Sequence, residues 1–316
     1  MGVWAQGRAQ YSGSTVDGLF FSAPGLAVCC EKWSAFLNQS QANYAVFGNP
    51  IKHSKSPAIH QAFAEQLKES LSYRAVRVEH EQFEEKVRGF FQRGGCGLNI
   101  TVPFKERAFA LADSASTAAA HARASNCLVP QQGGGLHAAN TDGVGMVRDM
   151  VANLGWQLQG RRTLIIGAGG AVRGIVHPLL SERLGSLTIV NRTPDRAQQL
   201  AEQFSNTQIK VKAGGLESVA GGVFDLVING TSASLEDAMP ALPNIELAPK
   251  CCCYDLVYSA EPTAFMRWSA SQAAWAIADG LGMLVEQAAE SYYLWRGQRP
   301  GTEAVISALR HGLTVG

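Results

Sequence analysis

The 316-residue sequence contains no C-x-x-C pair, no H-x-x-x-H pair and no excess of charge of either sign. Its seven cysteines stand at 29, 30, 96, 127 and 251–253. An odd number in contiguous clusters argues against a disulfide framework, and the spacing does not suit zinc. They read as buried thiols of a reducing, cytoplasmic compartment. Without paired histidines no protein metal site is expected. Lysine and arginine number 27 against 26 aspartates and glutamates, a formal charge of +1. That balance, with no basic run, excludes the electrostatic signature of a nucleic-acid or membrane-surface partner. No segment reaches the ~18 uninterrupted apolar residues of a membrane span. Hydrophobic content of 46% against 17% charged residues places the chain among globular proteins, with length for one large or two ordinary domains. The stretch GLFFSAPGLAVCC is apolar, but only Arg8 precedes it as positive charge and no A-x-A site follows, a poor signal peptide. Residues 1–43 are expected to form a poorly ordered extension.

From Tyr44 onward strand and helix patterns alternate. YAVFGNPI reads as a strand entering a turn, and Pro57 opens a helix with Ile59, Phe63 and Leu67 on one face. SYRAVRV and GLNITVPF read as strands around the helix FEEKVRGFFQRGG, and KERAFALAD follows as a helix. An alanine-rich helix, NCLVP, a QQGGG turn and the polar turn NTDG come next, with a helix starting near Val144. A second series runs through four strands, in TLIIGAGG, SLTIVNRT, FDLVING and CCCYDLVY, and everything beyond Gly280 reads as helix. The expectation is a two-domain α/β protein with mostly parallel sheets.

TLIIGAGGAVRG is a buried strand, a glycine turn and a helix start. Such a turn brings backbone N–H groups to a pyrophosphate where a Cβ would obstruct the approach. Gly167 and Gly169 match the first two glycines of G-x-G-x-x-G, but Val172 occupies the third place. The next strand ends in Asn191, Arg192 and Thr193, with Arg196 one turn on, and no carboxylate there. A guanidinium at this position pairs with a 2′-phosphate, which a carboxylate would repel, so NADP is expected rather than NAD.

Two polar motifs remain. NITVPFKE places Thr101 and Lys105 around a proline, with the lysine at a helix start that favours anions. That lysine is either a solvated surface residue or half of an acid/base pair with Asp142 of NTDG. In GNPIKHSKSP, Ser56 is expected to cap the helix that Pro57 begins, whereas Ser54 has no such local duty.

Taken in order and spacing, YAVFGNPIKHSKSPAIH, NITVPFKE, NTDG, GAGGAVRG, NRTPDR and ADGLGMLVEQA resemble the shikimate dehydrogenases, from Tyr44 to about Leu309. The resemblance implies a substrate domain (44–142), a Rossmann-like NADP domain (143–279) and C-terminal helices (280–316) returning to the substrate domain. It implies NADPH-linked reduction of 3-dehydroshikimate, a small-molecule substrate, with Lys105 exchanging a proton and Asp142 as its partner. Ser54, Ser56 and Tyr258 would hold the substrate carboxylate, and Thr101, Asn126 and Gln287 the ring hydroxyls. Gly167, Ala168, Gly169, Gly170 and Ala171 would cradle the pyrophosphate. Asn191, Arg192, Thr193 and Arg196 would take the 2′-phosphate, and Leu256 and Gly280 would lie beside the nicotinamide. A homodimer is the candidate assembly. ASNCLV, HAANTDG and SAEPTAF depart from the family's common wording, which bears on local packing more than on contact groups. The competing readings are a quinate/shikimate dehydrogenase using NAD and a non-catalytic sensor of the same ligand.

Overall fold

The structure, a computed structural model, describes residues 41–315. The expected extension at 1–43 lies outside them apart from its last three residues, and Ala42 already belongs to a strand. The first sheet holds β1 (Ala42–Gly48), β2 (Leu71–Arg77), β3 (Gly95–Ile100), β4 (Ser114–Ala115), β5 (Cys127–Pro130) and β6 (Leu136–Ala139). Their order is β2-β1-β3-β5-β6-β4. The β2, β1 and β3 strands run parallel, but β5 pairs antiparallel with both β3 and β6, so this sheet is mixed. Helices α1 (Ser56–Leu67), α2 (Phe83–Gln92), α3 (Lys105–Leu111) and α4 (Thr117–Ala122) cover it.

The helix after NTDG, α5 (Asp142–Arg148), starts two residues earlier than expected and runs into a π turn at Asp149–Asn153. The second sheet contains β7 (Arg162–Ile166), β8 (Ser186–Val190), β9 (Lys210–Gly214), β10 (Val223–Asn229), β11 (Glu246–Asp255) and β12 (Ala276–Ala278). All its pairs are parallel, in the order β12-β11-β10-β7-β8-β9. This is the doubly wound dinucleotide-binding order, whose ligand crevice opens where the chain reverses direction between β7 and β10. Four strands were expected here; β9 and β12 are additional. β9 is a lysine-flanked edge strand and β12 has three residues, so neither carries the apolar run of a central parallel strand.

Helices α6 (Gly170–Ser181), α7 (Pro194–Glu202) and α8 (Ala264–Ser271) belong to this half. The last two, α9 (Leu281–Arg296) and α10 (Glu303–Val315), come after it in sequence. Val285, Ala288, Tyr292 and Trp295 of α9 nevertheless pack into one core with Tyr44, Ile59 and Phe63 beneath the first sheet. The chain therefore crosses back, and the two halves meet along α5, α6 and α9.

Candidate active site

The site assembles where β1, β3 and the α9 start converge. Beyond β1, Gly48 leaves room for Thr101, since a Cβ there would lie 2.3 Å from its Cγ2. The following loop turns back as Ser54 N–H donates to Ile51 O (3.0 Å). The capping assignment made from sequence is reversed. The Ser56 side chain makes no cap bond, whereas Ser54 Oγ accepts from the Ser56 N–H at 3.3 Å. Pro57 occupies the helix start as expected, and α1 takes its side-chain cover from two residues upstream.

Lys105 opens α3, and its Nζ donates to Asp142 Oδ2 at 2.6 Å, both side chains mostly buried. A cation at a helix N-terminus opposes the dipole, and an anion in the first turn of a helix agrees with it. The pair answers both: Asp142 neutralises the lysine that stands against the α3 dipole while its own charge agrees with that of α5. The other Asp142 oxygen, Oδ1, accepts from Asn126 Nδ2 at 2.8 Å. That amide also donates to Thr141 Oγ1 (2.9 Å) and Gln287 Oε1 (3.2 Å), and its Oδ1 accepts the Thr141 N–H. Asn99 lies beneath them in β3. It donates to Asn126 O and Ser291 Oγ, both at 3.0 Å, and accepts from the Tyr73 hydroxyl at 2.8 Å. Asn99, Thr141, Ser291 and Tyr73 were not singled out from the sequence. The available signal was Asn99 itself, a polar residue between Leu98 and Ile100 in a strand that would have to find partners.

These residues surround a cavity of about 350 Å³. Ser54, Ser56, Thr101, Lys105, Asn126, Asp142, Leu256, Tyr258, Gly280 and Gln287 all line it, together with Asn99, Met283 and the rim residues Lys52, His53 and Lys55. Lys55, which sequence left without a role, thus stands at the mouth. Gly280 approaches the chain so closely that a Cβ would meet Leu256 O at 2.3 Å. Arg310 of α10 grips this corner through Asp279 and through Ser259 O (3.2 Å). Burial, with the Asp279 charge behind it, raises the Tyr258 hydroxyl above its usual range, so the phenol is neutral and able to donate.

The remaining expected residues lie at the ends of β7 and β8. Gly167 has φ +110°, the region that favours glycine, and a Cβ would crowd Gly230 O at 3.0 Å. Gly169 and Gly170 open α6 with nothing within 4 Å of a Cβ, no side-chain cap and no acid in the first turn. The helix start thus presents bare N–H groups to open space, with Ala168 behind and Ala171 exposed beside it. Val172, at the third fingerprint place, is fully buried, and Gly230 gives way instead: a Cβ there would lie 2.3 Å from Val172 Cγ2. Asn191 Nδ2 donates to Thr193 O at 2.9 Å, closing the turn before α7. Arg192 and Arg196 are exposed, and among the described residues neither has a carboxylate partner. Arg192 borders a second cavity of about 400 Å³ with Leu216, Glu217 and Pro243. An open helix start and two unpaired guanidiniums fit a dinucleotide with an extra phosphate.

Three family models match along the chain: the shikimate dehydrogenase substrate binding domain over 46–128, shikimate/quinate 5-dehydrogenase over 149–236, and the shikimate 5′-dehydrogenase C-terminal domain over 280–310. An NADP(+) shikimate dehydrogenase of Cellvibrio japonicus is 51% identical over 270 residues, 85% of this chain and 97% of the relative. The chain belongs to the shikimate dehydrogenase family. A second family member, from Alkalilimnicola ehrlichii, is 53% identical over 84% of this chain and 98% of its own. Among solved structures, Thermus thermophilus shikimate 5-dehydrogenase in complex with NADP(H) and shikimate superposes with a TM-score of 0.75 at 32% identity, covering 86% of this chain and all of that one. An Ael1 enzyme from Pseudomonas putida gives 0.78 at 42%, over 87% and 99%. Among the described residues of this family member, no helix is long and apolar enough to cross a membrane.

Proposed function

We propose that the protein catalyses the reversible NADPH-linked reduction of 3-dehydroshikimate to shikimate, a step of aromatic amino-acid biosynthesis; its curated relatives are named NADP(+) shikimate dehydrogenases. The observation that carries this reading is the 2.6 Å Lys105–Asp142 pair in the wall of a hydroxyl-lined cavity. When bound, NADPH supplies the hydride for the ring carbon that bears the 3-oxygen. The chain's residues supply position and the proton. Lys105 donates to that oxygen as it gains negative charge and recovers the proton in the reverse direction. Asp142 holds the ammonium in place and balances its charge; Asn126 in turn fixes Asp142.

The Ser54, Ser56 and Tyr258 hydroxyls hold the substrate carboxylate by charge-assisted hydrogen bonds. Thr101, Asn126 and Gln287 select the ring hydroxyls. The two N–H protons of Asn126 already face three acceptors, so an arriving hydroxyl replaces one contact without moving the amide. Gly167, Ala168, Gly169, Gly170 and Ala171 form the pyrophosphate cradle. Asn191 and Thr193 shape the turn from which Arg192 and Arg196 would take the 2′-phosphate, and Leu256 and Gly280 would lie beside the nicotinamide. In this reading residues 44–142 with the helices beyond 280 form the substrate domain, and 143–279 the cofactor domain.

The buried thiols Cys127, Cys251, Cys252 and Cys253 support residence in the cytoplasm. The homodimer is tested by size-exclusion chromatography with light scattering. The decisive experiment is the initial rate with shikimate or quinate against NADP or NAD, followed by absorbance of reduced nicotinamide. Shikimate with NADP is expected to be the fastest pair. Equal rates with both cofactors would remove the role of Arg192 and Arg196, and no rate with any pair would overturn the reading.

A further inference from the structure

Three consecutive residues at the start of α3 are ion-paired to three different elements. Lys105 reaches Asp142 of α5 at 2.6 Å, Glu106 reaches Arg173 of α6 at 2.6 Å, and Arg107 pairs with Glu84 of α2. The first turn of α3 is therefore tethered in three directions. Only the Glu106–Arg173 tether leads to the helix that begins at the glycine turn. Arg173 lies two residues past Ala171, and its own N–H donates to Gly169 O at 3.0 Å.

Stability does not account for this pair. Glu106 is 63% and Arg173 34% exposed, and an ion pair so open to solvent contributes little to folding. Electrostatics at the helix ends does explain why the two meet. The N-terminal end of α6 is unfavourable for a guanidinium and has no acid of its own. Glu106, an acid in the first turn of α3, brings the missing charge from across the cleft.

We infer that Arg173 and Glu106 are positioning residues that set the separation between the Lys105 ammonium and the cofactor turn. The inference rests on the roles proposed above for Lys105 and for the start of α6. Hydride and proton must reach neighbouring atoms of one substrate from two different halves of the protein. A tether one residue from the proton donor and two from the cradle couples those halves at the point where an error in distance is most damaging.

The test is a double-mutant cycle of Glu106→Gln, Arg173→Gln and the pair, on the full chain. Each single variant is expected to lower kcat about two- to fivefold, the reach of an exposed ion pair. The double variant should be no worse than either single one. NADPH dissociation constants from fluorescence titration should stay within about twofold for Glu106→Gln, and raised salt should carry wild-type kcat toward the variants' value. Additive losses would overturn the inference. So would weakened NADPH binding in Arg173→Gln with Glu106→Gln silent, which would make Arg173 a phosphate ligand only.

Hydrogen exchange without ligand gives a readout independent of turnover. Either substitution should speed exchange at the hydrogen-bonded amides of both segments, Ala108 (bonded to Phe104 O) and Arg173 (bonded to Gly169 O), the partner's segment included. Exchange confined to the substituted segment rejects the tether even if the enzyme turns over. Reciprocal exchange in a protein that reduces no substrate would instead keep the tether and reject the assigned reaction.

Discussion

The two halves of the cleft are prepared for their ligands in opposite ways. On the substrate side the polar side chains are bonded to one another: Lys105 to Asp142, Asp142 to Asn126, Asn126 to Thr141 and Gln287, Asn99 to Ser291 and Tyr73. On the side proposed to take the cofactor the groups are backbone N–H atoms at an open helix start and two exposed arginines without acidic partners among the described residues. A preset network loses little freedom on binding, and in the proposed reaction its geometry serves the reacting atoms. Solvated arginines must be ordered by the ligand, at about 0.5–1.5 kcal/mol each, and in return give charge selectivity. Substitutions on the substrate side should therefore act on kcat, and those on the cofactor side on affinity.

The sharpest break of that contrast is Lys105→Ala. Turnover should fall at least about a hundredfold, while NADPH affinity by fluorescence titration stays within about twofold. An enzyme that kept its turnover would remove Lys105 from the chemistry. On the other side, Arg192→Ala should lower kcat/KM for NADPH by about ten- to a hundredfold, as loss of a charge-assisted bond implies, and leave NADH within about threefold. Equal losses with both cofactors would mean that Arg192 supports the fold and not the 2′-phosphate.

Gly230→Ala tests packing behind the cradle. The added methyl meets Val172 Cγ2 at 2.3 Å, so a loss of about 1–3 kcal/mol in urea unfolding is expected. A second change, Val172→Ala, should recover part of it.

The smallest effect at neutral pH, and the most revealing in acid, concerns His60. It is buried behind the Asn99 network and stacked on Tyr73 at 4.1 Å between centroids. Burial pushes its pKa down to about 3 from 6.5. Between those values the unfolded chain binds the proton and the folded one does not, so stability falls as pH drops through this window. At pH 5 the loss amounts to about 2 kcal/mol. Buried Asp149 and Asp255, on the cofactor side, shift the other way, raised chiefly by burial, and folding gains from their protonation as pH falls. Acid should thus release the substrate side first. His60→Phe should flatten the decline between pH 7 and pH 5 in chemical denaturation, and an unchanged slope would count against the buried neutral ring.

Much of the cavity was legible in the sequence because its residues sit on turns, where hydroxyls, Lys105 and Asp142 stand out from apolar strands. The supporting layer was less so. Thr141 was hidden in a turn whose aspartate drew attention, and Ser291 lies among Tyr, Glu and Ala of a helix whose burial is nearly all-round at its start. Their value comes from contacts up to 192 residues away in sequence, as between Asn99 and Ser291. Ser54 and Ser56 exchanged capping duties because the cap depends on the path of the loop, and pattern specifies only that one be near Pro57. The mixed first sheet was likewise beyond periodicity: β5 and β6 are short, and strand direction depends on tertiary pairing.

The contact between Val172 and Gly230 has a consequence for how such a protein can drift. The demand for a small residue belongs to the meeting of helix and strand, and either partner can satisfy it. A lineage can move the glycine from one side to the other only through an intermediate that is either crowded or hollow. The two positions are therefore expected to vary as a pair, and the cost of a substitution at one depends on the residue at the other.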